Sequence, residues 1–280
     1  MPLLMNQVRQ MVQRLAHSLG YTIVPSAMAG VSARLSMEGA LTNMKKTGFV
    51  PGFVIDVGAA YGDFTRTCLR LFPDASYLLL EPLEEYGGDL DLLVREHPKS
   101  TVIKAAAAAH QGVRNINIHP DLVGSSFLLE PEEDSDVNGT QREVAVTTID
   151  AEVKSVAADG PVLLKVDVQG AELDVLTGAS KTVESSEVLI LETTLFNTFE
   201  NGPVFHEVVA YMADRDFCVY DIIGNLYRPL DGALMQVDVI FVKRSGVLRR
   251  CHAYATAEQR MAQTEMFSRR AKTLIRTKND

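Results

Sequence analysis

The chain has 280 residues, 46% of them hydrophobic, and a formal net charge of −9. That length suits one large domain with appendages, and no stretch approaches the ~18 apolar residues of a membrane span or a signal peptide with its cleavage site. Cys68, Cys218 and Cys251 are odd in number and scattered, which suits neither a disulfide framework nor a zinc site, so the expected compartment is a reducing cytoplasm.

The charge is unevenly spread. Residues 1–50 carry +4, residues 51–242 carry −20 and residues 243–280 carry +7. An acidic core repels phosphate backbones, so no nucleic-acid partner is expected, whereas a cationic ligand meets no such barrier. The expected organisation is an N-terminal helical extension (1–50), a ligand-binding core domain (51–242) and a basic helical tail (243–280). The basic flanks are expected to pack on the acidic core or between the subunits of a homo-oligomer, on the acceptor side of the site.

At the N-terminus, Leu4, Val8, Met11, Val12 and Leu15 recur at helical spacing, and Gly20 and Pro25 end that segment. A second helix is expected around 31–46, with Lys45 and Lys46 in its last turn and Gly48 beyond. An apolar strand from Phe53 then runs into Asp56, and Gly58 and Gly62 bound a turn that leads into a helix over 62–72. The pattern Asp-x-Gly-x-x-x-Gly departs from the Gly-x-Gly-x-x-Gly of dinucleotide sites. It suits S-adenosylmethionine, whose zwitterionic tail would lie along Gly58, Ala60, Tyr61 and Gly62, with Asp56 bonding the ammonium directly or through water. The plainer reading makes Asp56 a strand-end cap for the next helix.

Ser76–Leu80 reads as a second buried strand ending in Glu81-Pro82. An acid there, one βα unit after the glycine loop, is placed to accept from both ribose hydroxyls. A helix over 83–96 and a third strand over 101–106 follow, and the small Ala105 and Ala106 leave room for an adenine ring. The acidic run 130–136 reads as a solvated loop. A strand over 162–166 brings Asp167 to the same edge, and a further apolar run, Val188–Leu191, ends at Glu192. Clustered strand-end carboxylates repel one another unless a cation or a proton sits among them. Helix 203–213, strand 217–223, a turn-rich stretch 224–232, strand 237–242 and a helix over 255–274 complete the order.

Taken together, Asp56–Gly62, Glu81-Pro82, Gly124-Ser125-Ser126-Phe127-Leu128, Val146–Asp150, Leu164–Glu172 with Val175–Gly178, Val188–Glu192 and Val237–Val242 resemble the FkbM-type S-adenosylmethionine-dependent methyltransferases over about 50–242. Ala60 stands where the family commonly has Asn, and Lys104 where it often has Asn. The resemblance implies a class I methyltransferase fold, a Rossmann-like doubly wound sheet of seven strands with an antiparallel last strand. It also implies O-methylation of a hydroxyl on a small molecule, a sugar or natural-product scaffold, and cofactor contacts at Ser125 and Ser126.

Candidate general bases for that hydroxyl are Asp167, His119 and His206. Asp167 and Glu192, on neighbouring strands, are also the candidate ligands of a Mg²⁺ ion that would acidify it. Lys165, in an otherwise apolar strand, reads equally as a buried ion-pair partner or a catalytic group. Two other classes stay open at this point: an NAD-dependent oxidoreductase, against which the missing Gly-x-Gly-x-x-Gly loop argues, and a non-catalytic cofactor-binding partner subunit.

Overall fold

The computed structural model describes residues 33–131, 136–156 and 159–276. Helix α1 (Met37–Lys46) starts later than expected, because the Ser36 side chain accepts from Gly39 N at 3.1 Å and fixes the N-terminus. The helix expected around Leu4–Leu15 lies outside the described residues. Strand β1 (Phe53–Val57) is buried at all five positions and leads into α2 (Asp63–Leu71). Strand β2 (Ser76–Leu80), a 3₁₀ turn at Glu84–Tyr86 and α3 (Gly87–Glu96) follow.

The third strand is shorter than expected. β3 (Ser100–Ile103) ends before Lys104, and Ala106–Ala107 form β4 of a second sheet with β5 (Gly112–Ile118) and β6 (Thr140–Thr147), in the order β4-β6-β5. A short α4 (Ile149–Glu152) leads on to β7 (Val162–Val166), α5 (Glu172–Thr177), α6 (Ser180–Ser185) and β8 (Ser186–Thr194). Next come α7 (Phe205–Ala213), β9 (Phe217–Tyr227), β10 (Leu234–Lys243) and α8 (Ala257–Arg276). β9 extends through Tyr227, well into the stretch expected to be turn.

The main sheet has seven strands in the order β3-β2-β1-β7-β8-β10-β9. β3, β2, β1, β7 and β8 pair in parallel, and β10 enters antiparallel to both β8 and β9. Both faces are covered, which is why β1, β2 and β7 are mostly apolar, with Asp56 and Lys165 the charged exceptions. On one face Val54, Leu79, Leu163 and Ile190 pack with Leu41 and Met44 of α1 and Phe64 and Cys68 of α2. On the other Ile55, Leu78, Leu164 and Leu189 pack with Val175, Val183 and Met212 of α5, α6 and α7. Among the described residues no helix is long and apolar enough to cross a membrane. The side chains of α8 from Ala257 to Ser268 are exposed or, at Gln263, half-buried, so this stretch does not pack on the acidic core as expected.

Candidate functional site

The carboxyl ends of β1, β2 and β7 converge on one cavity, where an open doubly wound sheet places its ligand crevice. Gly58 and Ala60 of the first turn line it, together with Glu81, Pro82 and Leu83 after β2. Ala106 and Ala107, Ser125 to Phe127, and Asp167 to Gln169 complete most of the wall. The turn after β1 is left-handed at Gly58 (φ 73°), Ala60 (φ 45°) and Gly62 (φ 79°). At Gly58 a Cβ would fall 1.9 Å from the Asp167 carbonyl oxygen, so only glycine lets the β1 and β7 loops close together.

Glu81 is fixed from two sides. Its Oε2 accepts from Ala60 N at 2.8 Å and its Oε1 from Leu83 N at 2.9 Å, which leaves each oxygen capacity for a further donor from the cavity. Burial pushes its pKa up to about 6, opposed by the two backbone donors and reinforced by the charges of Asp56 and Asp167.

The acids expected to repel along this edge are compensated in both available ways. Lys165, 7% exposed, donates to Asp167 Oδ2 at 2.8 Å. Burial works against its charge, but Asp167 and Asp56 outweigh that and hold its pKa above the usual lysine value. The converse holds at Asp167: burial is the largest influence and raises its pKa, but Lys165 and the hydrogen bonds from Glu192 and Gln169 together outweigh it, and the net direction is down. Glu192 is the acid on which a proton is favoured: burial, then the charges of Asp167 and Glu172, push its pKa well above the ordinary value, beside Asp167, whose pKa is lowered.

Gln169 ties that pair together. Its Nε2 donates to Asp167 Oδ1 at 3.1 Å and to Glu192 Oε2 at 2.7 Å, and Gln236 donates to Glu192 Oε1. Asp167 and Glu192, the expected Mg²⁺ ligands, are bridged by the Gln169 amide, and no group of three or more metal-ligating side chains occurs among the described residues.

Several other expectations shift. Asp56 is 1% exposed and does not line the cavity; its Oδ2 accepts from Thr65 Oγ1 at 2.7 Å. Tyr61 and Gly62 also stand off it. Tyr61 packs edge-on against Tyr86, which does line the wall, with ring centroids 4.7 Å apart, and Gly62 caps α2. Ala105 is buried behind the wall, because β3 ends early and the wall begins at Ala106. Ser125 and Ser126 do line it: Ser126 Oγ donates to the Gln169 carbonyl at 2.6 Å and Ser125 Oγ accepts from His119 N at 3.0 Å.

His119 and His206 do not line the cavity. His119 Nδ1 lies 2.5 Å from Asp121 Oδ1, and His206 is exposed on α7. The sequence reading assigned no role to Gln169 or Glu172. Glu172 is buried, with Oε1 accepting from Val168 N at 3.2 Å and Gly170 N at 3.1 Å, which fixes the loop that carries Asp167. The signal for both was the spacing Asp-x-Gln-Gly-x-Glu at 167–172.

Fold and cavity together define a class I methyltransferase. The family described as Methyltransferase FkbM domain matches residues 56–219, more than half of the chain, and the protein belongs to that family. Methyltransferase sdnD of Sordaria araneosa is 25% identical over 197 residues, which cover 59% of this chain and 73% of that protein. Among solved structures, methyltransferase FkbM from Methylobacillus flagellatus KT has 15% identity and a TM-score of 0.44, with 68% of this chain and 43% of that one covered. Magnesium protoporphyrin IX methyltransferase of Synechocystis PCC 6803 has 12% identity and a TM-score of 0.43, over 76% of this chain and 80% of that one.

Proposed function

We propose that the protein transfers a methyl group from S-adenosylmethionine to a hydroxyl of a small molecule, a sugar or a natural-product scaffold. The observation that carries this reading is Glu81. A carboxylate fixed by Ala60 N–H and Leu83 N–H keeps unused acceptor capacity inside the cavity, where vicinal ribose hydroxyls can donate to it.

The remaining residues fit the same ligand. Ala106 and Ala107 offer the small, flat surface that an adenine needs, and Gly58 and Asp167 form the end suited to a cationic amino-acid tail. Bound there, the cofactor supplies a methyl group already activated by its sulfonium. The protein's share is largely orientation, for which well-placed reactants can contribute about 7 to 11 kcal/mol. Of the three candidate bases only Asp167 lines the cavity, and its pairing with Lys165 makes it a weak proton acceptor. It serves better as the negative pole facing the cationic cofactor. The acidic core favours an uncharged or cationic acceptor over a nucleic acid.

Calorimetric titration tests the cofactor: S-adenosylmethionine and S-adenosylhomocysteine should bind and NAD should not. Glu81→Ala should weaken either ligand by about 1 to 3 kcal/mol through lost charged hydrogen bonds. Tight NAD binding, or an unchanged affinity in Glu81→Ala, would remove the reading. For the acceptor, ¹³C-methyl-labelled cofactor incubated with a small-molecule extract distinguishes oxygen-bound from nitrogen- or carbon-bound methyl groups by the carbon shift of the product.

A further inference from the structure

Asp56 is the most deeply buried acid of the site, and only half of its carboxylate is satisfied. Oδ2 accepts from Thr65 at 2.7 Å, but Oδ1 has no hydrogen-bond partner. Buried, unpaired charged atoms are rare because their desolvation is uncompensated. Lys165 lies beside it, with Nζ 4.0 Å from Asp56 Oδ1 and 2.8 Å from Asp167 Oδ2. The shorter distance is a hydrogen bond and the longer is not.

The two acids differ in access. The Asp167 side chain is 27% exposed and lines the cavity, while that of Asp56 is 1% exposed and does not. Asp56 and Lys165 are register partners on the parallel strands β1 and β7, so rotation about the last bonds of the lysine stem carries its ammonium from one acid toward the other. The Phe64 ring, 5.6 Å from Nζ, backs the ammonium. Two carboxylates share one ammonium, and burial, opposed by Lys165 and Thr65, raises the pKa of Asp56; a second cation entering from the cavity gives each acid one partner.

We propose that Lys165 is a two-position switch, paired with Asp167 in this structure and passed to the waiting Oδ1 of Asp56 when the ammonium of the cofactor's methionine tail engages Asp167. Asp56 is then a positioning residue. It touches no ligand; it receives the lysine that the ligand displaces, which accounts for an acid at the strand end that stays behind the cavity wall. The inference rests on the cofactor reading above.

The test compares S-adenosylhomocysteine with 5′-methylthioadenosine, a nucleoside thioether that lacks the amino-acid tail, by calorimetry. Asp56→Asn is expected to weaken S-adenosylhomocysteine about tenfold and to leave 5′-methylthioadenosine within about twofold. In a Lys165→Met background, adding Asp56→Asn should change neither affinity, since no ammonium is left to relocate. Equal losses for both ligands, or an undiminished Asp56→Asn effect without Lys165, would overturn the switch.

A second measurement needs no variant. Lys165 is the one buried lysine among the described residues, so its slowly exchanging ammonium is identifiable in ¹⁵N-lysine-labelled protein. Its signal should shift with S-adenosylhomocysteine and not with 5′-methylthioadenosine; an unmoved signal in the S-adenosylhomocysteine complex overturns the switch even if the variants fail to fold. If neither ligand binds, the cofactor reading itself falls and takes the switch with it.

Discussion

Ala60 holds a left-handed backbone at φ 45° while its N–H reaches Glu81 at 2.8 Å. A Cβ in that region costs about 1 to 2 kcal/mol, which Asn tolerates better and Gly avoids. The Asn common in the family at this position therefore has a conformational reason. Ala60→Gly is expected to stabilise the protein by about 0.5 to 1 kcal/mol, less than the full strain because glycine also loosens the unfolded chain. The urea midpoint measures it, and the amide contact to Glu81 should survive.

Glu172 makes a pH prediction. Burial raises its pKa from 4.5 to about 7. The native state thus holds this proton more tightly than the unfolded chain. Its contribution to stability is complete below about pH 4.5 and is lost as pH rises through about 7, up to about 3 kcal/mol in all. Glu81 and Asp238, both pushed up to about 6 with burial the leading cause, act in the same direction. Asp167, shifted downward, acts oppositely and at lower pH. Glu172→Gln keeps an oxygen for Val168 and Gly170 N–H, so its melting temperature should exceed that of the unmodified protein at pH 8, and the fall between pH 5 and 8 should flatten. An unchanged slope would mean that Glu172 is not the group being titrated.

At the scale of elements, the joint between the β1 and β7 loops is the most sensitive. Gly58→Ala combines a φ of 73° with a Cβ 1.9 Å from Asp167 O, so one loop must move. The expected cost is about 2 kcal/mol or more, with cofactor binding lost along with the separation of the loops. Chemical denaturation and calorimetry on the same preparation check both parts.

The elements legible in the sequence were those buried on both faces. β1, β2 and β7 are short apolar runs punctuated by Gly, Pro or an acid, and no competing period obscures them. β5 and β6 were missed because a small sheet exposes much of its surface: Gly112–Asn115 is exposed, and Thr140–Glu143 is polar throughout. β3 was drawn too long, since Ala105 and Ala106 resume apolar sequence after Lys104 although the backbone passes into another sheet. Within the site, Gly58 was legible from the glycine spacing after β1 and Glu81 from its place at the end of the next strand. The part Asp56 plays did not, because it depends on which way a strand-end side chain turns and on a lysine that comes alongside only when β1 and β7 pair.

For the whole molecule, the separation of charge sets the open question. The tail from residue 243 carries +7 against −20 in the core, yet the α8 side chains from Ala257 to Ser268 are exposed or half-buried, Met261, Met266 and Phe267 among the exposed. Tyr254, which accepts from Gln263 and lies under Arg260, belongs to this same exposed segment. Removal of 254–280 should therefore leave the melting temperature of the rest within about 2 °C, as for surface changes that bury nothing. A larger fall would show that the segment packs on the core or on another copy in solution.

The place of β10 also dictates the order in which the molecule can be made. β10 is the last strand among the described residues, yet it lies between β8 and β9. While the chain emerges from the ribosome, β8 can join β7 at once, but its far edge waits until Leu234–Lys243 arrives, and β9 has no partner in the sheet before then. Ser186–Thr194, a largely buried strand with the apolar run Val188–Leu191 at its centre, spends that interval with unpaired amides and carbonyls, the condition in which strands recruit other chains. Closure of the sheet is thus a late, long-range event. A nonsense or frameshift change shortly before residue 234 would remove no residue of the cavity wall and would still release a chain prone to aggregate.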